Sequence, residues 1–240
     1  VTNDRYSLMI GALVSQKMLL HGEAPKHGAR FSFPENVEEL FVEHPNTMNI
    51  IHYCARQAPK KHELDLLGAI GGRNISGFQF NGAYPEPAAL IEFCTEIVEQ
   101  DGRAAVVLQC RLAEIDRCCD YLTSLGEGVV MVSHVAISTS NGEEQSYSGL
   151  GEITQAFGRI SALVELAKAP QPRFCISGTF DERGVVDVGR KIRELYGPDM
   201  CISLNAEDQI MDLDDRIMLD RTAAYVRNAF GALTKAEPAS

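Results

Sequence analysis

The seven cysteines of this 240-residue chain include no CxxC pair, and their closest spacing is one adjacent pair, Cys118 and Cys119. That usage does not fit a secreted disulfide framework, and an odd number would leave one thiol over, so a reducing compartment is expected. Long apolar runs are missing too. None approaches the roughly 18 to 20 residues that span a bilayer, and the opening VTNDRYS lacks the basic-then-apolar order of a signal peptide. Basic charge is scarce: 22 Lys and Arg stand against 33 Asp and Glu, a formal net charge of −11. Nucleic acid and anionic membrane surfaces are recognised mainly through Lys and Arg clusters, so neither is expected as a partner. The six histidines (21, 27, 44, 52, 62 and 134) form no HxH, HExxH or Cys/His pair at ligand spacing, which predicts no metal. Linkers, low-complexity tracts and charge blocks are also absent. The expectation is one soluble, cytoplasmic domain over residues 1–240.

What is present is a repeated order, and 45% apolar content is ample to build a core from it. Short runs rich in Val, Ile, Leu, Met and Cys are each followed by polar or Gly residues and then by an amphipathic stretch of helical length. That order predicts parallel strands joined by helices. The strand candidates are SLMIGALVS (7–15), MNIIHYC (48–54), SGFQFN (76–81), AAVVLQC (104–110), GVVMVSH (128–134), RFCISG (173–178) and MCISLN (200–205), with ARFSF (29–33) as a weaker eighth, second in order. Helices are expected in PENVEELFVEH, PEPAALIEFCTEIVEQDG, RLAEIDRCCDYLTSLGEG, GEITQAFGRISALVELAKAP, ERGVVDVGRKIRELYGPD and RTAAYVRNAFGALTK. The first crossover, QKMLLHGEAPKHG, has room for at most two helical turns. Eight strands in alternation with helices predict an α/β fold of the (β/α)8 TIM-barrel type. Seven strands would favour an open, doubly wound parallel sheet instead.

Such barrels carry their sites at the carboxyl ends of the strands. Polar residues collect at those ends here: His52, Gln79 with Asn81, Gln109, Ser133 with His134, Ser177 and Asn205. A buried amide needs a partner, so Gln79 and Asn81 make most sense where water or a ligand can reach them. By the period of two, His52, Gln79, Asn81, Gln109 and His134 would line one mouth. His134 is the candidate proton-transfer group, with His52 assisting, and Lys17 is read as a cationic contact or base. Gln79, Asn81, Gln109, Asn205 and Glu207 are candidate substrate contacts. The long loop AISTSNGEEQSYSGLGE and the turn ISGTFDERG supply candidate phosphate-binding residues in Ser138, Gly178 and Thr179, although neither carries a Gly-Gly pair or a Walker-type run. The only cation near the late strand ends is Arg183, a turn beyond, so a flavin is disfavoured and no cofactor is expected. Cys110, Cys175 and Cys201 sit in apolar strands and read as structural.

GFQFNGAYPEPAAL, AAVVLQCRLAEIDRCCDYL, GVVMVSHVAISTSNG and FCISGTFDERGVVDV resemble, in order and spacing, the fourth to seventh strand segments of the phosphoribosylanthranilate isomerase family. The likeness covers roughly residues 75 to 230 and implies a phosphate-binding TIM barrel. That family isomerises an aminoaldose to an aminoketose with a cysteine base after its first strand and an aspartate acid after its sixth. Here SLMIGALVSQK has no cysteine, Ser133 and His134 stand where the aspartate would be, and Thr179 replaces the second glycine after Gly178. Without that acid and base the family's own reaction is not expected. Two functions follow: a lyase or isomerase using His-mediated proton transfer on a small polar metabolite, with or without a phosphate group, or a non-catalytic barrel binding a metabolite or partner at the same mouth.

Overall fold

The computed structural model describes residues 6–23, 47–70, 75–101, 105–138, 150–178, 186–188, 190–191, 194, 202–206, 221, 224–228 and 231. Its strands are β1 (Tyr6–Ser15), β2 (Thr47–Ala55), β3 (Gly77–Gly82), β4 (Ala105–Arg111), β5 (His134–Ser138), β6 (Arg173–Gly178) and β7 (Ile202–Ala206). Each pairs in parallel with the next, and β7 pairs with β1, so the sheet closes. Closure rules out the open doubly wound sheet. The ring has seven strands, and this corrects the expected eight. β1 and β2 pair directly from Leu8 with Thr47 to Ser15 with Cys54, leaving no place for a strand between them; residues 29–33 themselves lie outside the described set.

Register fixes the barrel's shape. From Ser15 the partners run through Cys54, Asn81, Gln109, Ala136, Cys175 and Ser203 and return to β1 at Ser7, eight residues earlier. That stagger equals the shear of the eight-stranded TIM barrel, and spread over one strand fewer it tilts the strands more steeply than there.

Five helices are bounded among the described residues: α1 (Gln16–His21), α2 (Lys61–Gly68), α3 (Pro87–Asp101), α4 (Ile115–Ser124) and α5 (Leu150–Leu166). α1 is the short first crossover. Ser15 accepts a hydrogen bond from Met18 N at 3.2 Å at its start, and Gly22, at φ 65°, ends it. The longer helices bury the stripe their periodicity predicts: Leu90, Phe93, Cys94 and Ile97 on α3, and Ile153, Ala156, Phe157, Ile160 and Val164 on α5. These pack on the outward strand residues, including Tyr53, Phe80, Leu108, Val135 and Ile176. Helical residues at 186–188 and 224–228 add Val188, Tyr225 and Val226 to the same core. The segment 34–44, expected to be helical, lies outside the described residues.

One strand is displaced from its expected place. The run GVVMVSH predicts a strand over 128–134, but residues Gly126–Met131 form a 3-10 turn and β5 begins at His134. The spacing explains it: Val129 and Val132, three apart, are buried, while Val130 is half exposed. One tight turn satisfies that pattern where a strand would not. The buried strand run is HVAIS, all five residues of which are covered.

Candidate binding site at the carboxyl end of the ring

The interior of the barrel holds a separate apolar layer, Met9, Ile50, Val107, Ala136 and Cys175. Side chains alternate along a strand, so residues two positions further on share that inward face. Two positions towards the carboxyl ends are His52, Gln109, Ser138 and Ser177. On β3, Gln79 pairs in register with His52 and Val107, and Asn81 follows it inward. Two positions the other way, at the amino ends of β5 and β6, stand His134 and Arg173.

The two histidines predicted to cooperate therefore lie on opposite sides of an apolar layer, which corrects the expectation for His134. Because β5 starts rather than ends at this residue, its imidazole belongs to the amino end of the ring. It is buried there, with Nδ1 2.9 Å from Ser133 Oγ, and Ser133 Oγ donates in turn to Val106 O at 3.0 Å. With the hydroxyl hydrogen so used, Nδ1 carries the proton and donates it to Ser133, leaving Nε2 a buried acceptor without a partner. Burial, and secondarily the charge of Arg173, lowers this imidazole to about 4.

The remaining neutral residues do converge. Gln79, fully buried, donates through Nε2 to Asn81 Oδ1 at 2.9 Å and to Gln109 Oε1. Asn81 Nδ2 reaches Cys54 Sγ at 3.7 Å. Beside Gln79, His52 is 3% exposed, and burial lowers it to about 4, so it is uncharged at neutral pH. Two atoms in this cluster have no hydrogen-bond partner among the described residues, His52 Nε2 and Gln79 Oε1. No Asp, Glu or Lys occurs in any of the seven strands.

The other candidates fall as follows. Lys17 is exposed on α1 and makes no hydrogen bond or ion pair among the described residues, so it does not join the cluster. Ser138 is buried at the end of β5, and register places it between Arg111 and Ser177. Asn205 lies in register between Ser177 and Met9, and Gly178 ends β6 opposite Ala206. Thr179 and Glu207 lie outside the described residues, as does most of the long loop, whose first residues, Ala136 to Ser138, belong to β5. Among the described residues no group of three His, Cys, Asp or Glu is placed to hold a metal, and no helix is long and apolar enough to cross a membrane.

Sequence reasoning missed Arg111 and Cys54, both on inward positions of strands that close the cluster. The period of two running from Gln109 to Arg111 in LQCR was the available signal.

The fold and the site define a closed parallel α/β barrel whose strands bring amides, hydroxyls, an imidazole and Arg111, but no carboxylate, to its mouth. No family model and no curated protein matches the chain. Among solved structures it is similar to active domain 2 of a thermostable chitinase from Pyrococcus furiosus, at TM-score 0.52 and 9% identity, covering 100% of this chain and 89% of that one. It is also similar to an enoyl reductase domain from the macrolactin biosynthesis cluster of Bacillus amyloliquefaciens, at TM-score 0.48 and 10% identity, covering 88% of this chain and 54% of that one. At such identities the likeness to the chitinase domain concerns the fold alone.

Proposed function

We propose that the carboxyl end of the ring binds a small, uncharged polar metabolite, held by His52, Gln79, Asn81 and Gln109. The observation that carries this is the pair of buried atoms left without partners, His52 Nε2 and Gln79 Oε1. Each such atom costs about 1–3 kcal/mol unless something supplies its hydrogen bond. A ligand hydroxyl or amide N–H donating to Gln79 Oε1, with a second polar group against His52, removes both costs at once. The lyase or isomerase reading retains His52 alone as proton carrier. An imidazole lowered to about 4 is a weak base at neutral pH, and the strands supply no carboxylate to work with it, so binding is the better supported function. A phosphorylated counterpart would instead have to place its anion against the register line of Arg111, Ser138 and Ser177, which is why the test includes such compounds.

The test is a thermal-shift screen with unphosphorylated sugars, polyols and amides beside their phosphorylated counterparts. A ligand present at about 100 times its dissociation constant adds about 2.7 kcal/mol, a shift of several degrees for a chain of this size. Uncharged compounds are expected to raise Tm in the wild type and to lose most of that effect in Gln79→Leu. An effect that survives Gln79→Leu, or that no uncharged compound produces, removes this reading.

A further inference from the structure

Outside the ring, beyond the tips of β2 and β3, a cleft of about 590 Å3 opens against α4. Its lining includes Arg56 and Gln57 after β2, Gly82 and Tyr84 at the β3 turn, and Arg117 and Tyr121 on α4. The turn is tightly built. Gly82 sits at φ 81°, where a Cβ would lie 2.5 Å from Ala55 O, and Ala83 N donates to that same carbonyl at 2.9 Å. Tyr84 packs on Tyr121 with ring centroids 4.7 Å apart. The Arg117 guanidinium lies over the Tyr84 ring at 5.1 Å and donates to Gly82 O. Both phenol hydrogens are committed, Tyr84 OH to Gln109 O at 2.9 Å and Tyr121 OH to Pro85 O at 2.8 Å. Burial pushes both phenols above their usual range, so the tyrosine wall stays uncharged.

Among the described residues, therefore, the charges that face the cleft are two guanidiniums, and no carboxylate lines it. In a chain carrying 33 acidic against 22 basic residues this is a local reversal. Among the described residues Arg117 has one carboxylate within ion-pair distance, Glu114, 4.0 Å away and one helical turn back, and Arg56 makes no ion pair. Arg117 is held by its ring contact and one hydrogen bond, so its remaining N–H donors are already oriented, and less freedom is lost when they bind. Arg56 is anchored through its backbone N–H, which donates to Gln16 Oε1 at 3.4 Å. The volume falls within the range of small-molecule sites, about 300–1,000 Å3, and exceeds what an inorganic ion fills.

We propose that this cleft is a binding site for a small organic oxyanion, its carboxylate or phosphate gripped by Arg56 and Arg117 and its organic body resting on the tyrosine wall. The site uses none of the mouth residues.

Isothermal titration with phenyl phosphate and benzoate, and with benzyl alcohol as the uncharged control, tests it on the whole chain. Either anion is expected to bind at least tenfold tighter than benzyl alcohol, and more weakly as salt rises. Arg56→Gln should weaken the anion at least tenfold, and Arg117→Lys, which keeps the charge but loses the fork, should weaken it as well. Which of the two anions binds tighter identifies the group recognised. Gln79→Leu should leave this binding unchanged, so that failure here and failure at the mouth are told apart. Binding of benzyl alcohol equal to that of the anions, anion binding indifferent to Arg56→Gln, or no heat at millimolar probe with a folded chain each overturns the proposal.

Discussion

At the scale of single residues, the two interior histidines show how burial governs charge. Both are lowered from 6.5 to about 4, chiefly by loss of water. Between those values the unfolded chain takes up protons that the folded chain refuses. The stability they contribute is complete above pH 6.5 and is lost as pH falls towards 4. The span corresponds to about 3 kcal/mol for each imidazole. Urea unfolding at a series of pH values should show stability falling through this window, and a His52→Gln, His134→Gln double variant should show a shallower fall. An equally steep fall in the double variant would assign the effect to other groups. The same pair separates position from type: the residue below the apolar layer serves packing, and the one above it faces the mouth.

At the scale of elements, one buried carboxylate joins three of them. Glu63, near the start of α2, is 3% exposed. It accepts from Tyr53 OH of β2 at 2.8 Å, from Gln16 Nε2 of α1 at 2.6 Å, and from the backbone N of Lys60 at 3.3 Å. The last bond satisfies an amide at the helix start that has no partner within the helix. Glu63→Ala would leave the fully buried Tyr53 hydroxyl without an acceptor and should cost about 1–3 kcal/mol, measurable by urea unfolding. Glu63→Gln, which keeps an acceptor oxygen, should cost less. Equal losses in the two variants would mean that the charge, not the hydrogen bonds, holds these elements together.

At the scale of the whole molecule, closure depends on β1, the strand paired to both β2 and β7. Deleting the first 15 residues would expose the edges of β2 and β7 and uncover the apolar interior layer beside Met9. The truncated chain is expected to lose its cooperative thermal transition by circular dichroism and to associate on gel filtration. A monomer with a sharp transition would show that the six remaining strands hold without the closing pair.

The sequence by itself determined the α/β alternation and placed six of the seven strands within two residues of their observed bounds. Strand runs and helix stripes are local signals, readable over a few residues. It also placed His52, Gln79, Asn81 and Gln109 on one face, because the period of two needs no partner strand. Only the tertiary structure decided that the ring closes on seven strands and that His134 stands at its amino end. Within GVVMVSHVAIS every residue but four is apolar, so local pattern cannot say where the strand starts; pairing with β4 and β6 decides it. The cleft of Arg56 and Arg117 belongs to the same class. Its two cations lie 61 positions apart in the chain and meet only because strands β2 to β4 are neighbours in a closed, staggered ring, which brings α4 over the turn at Gly82.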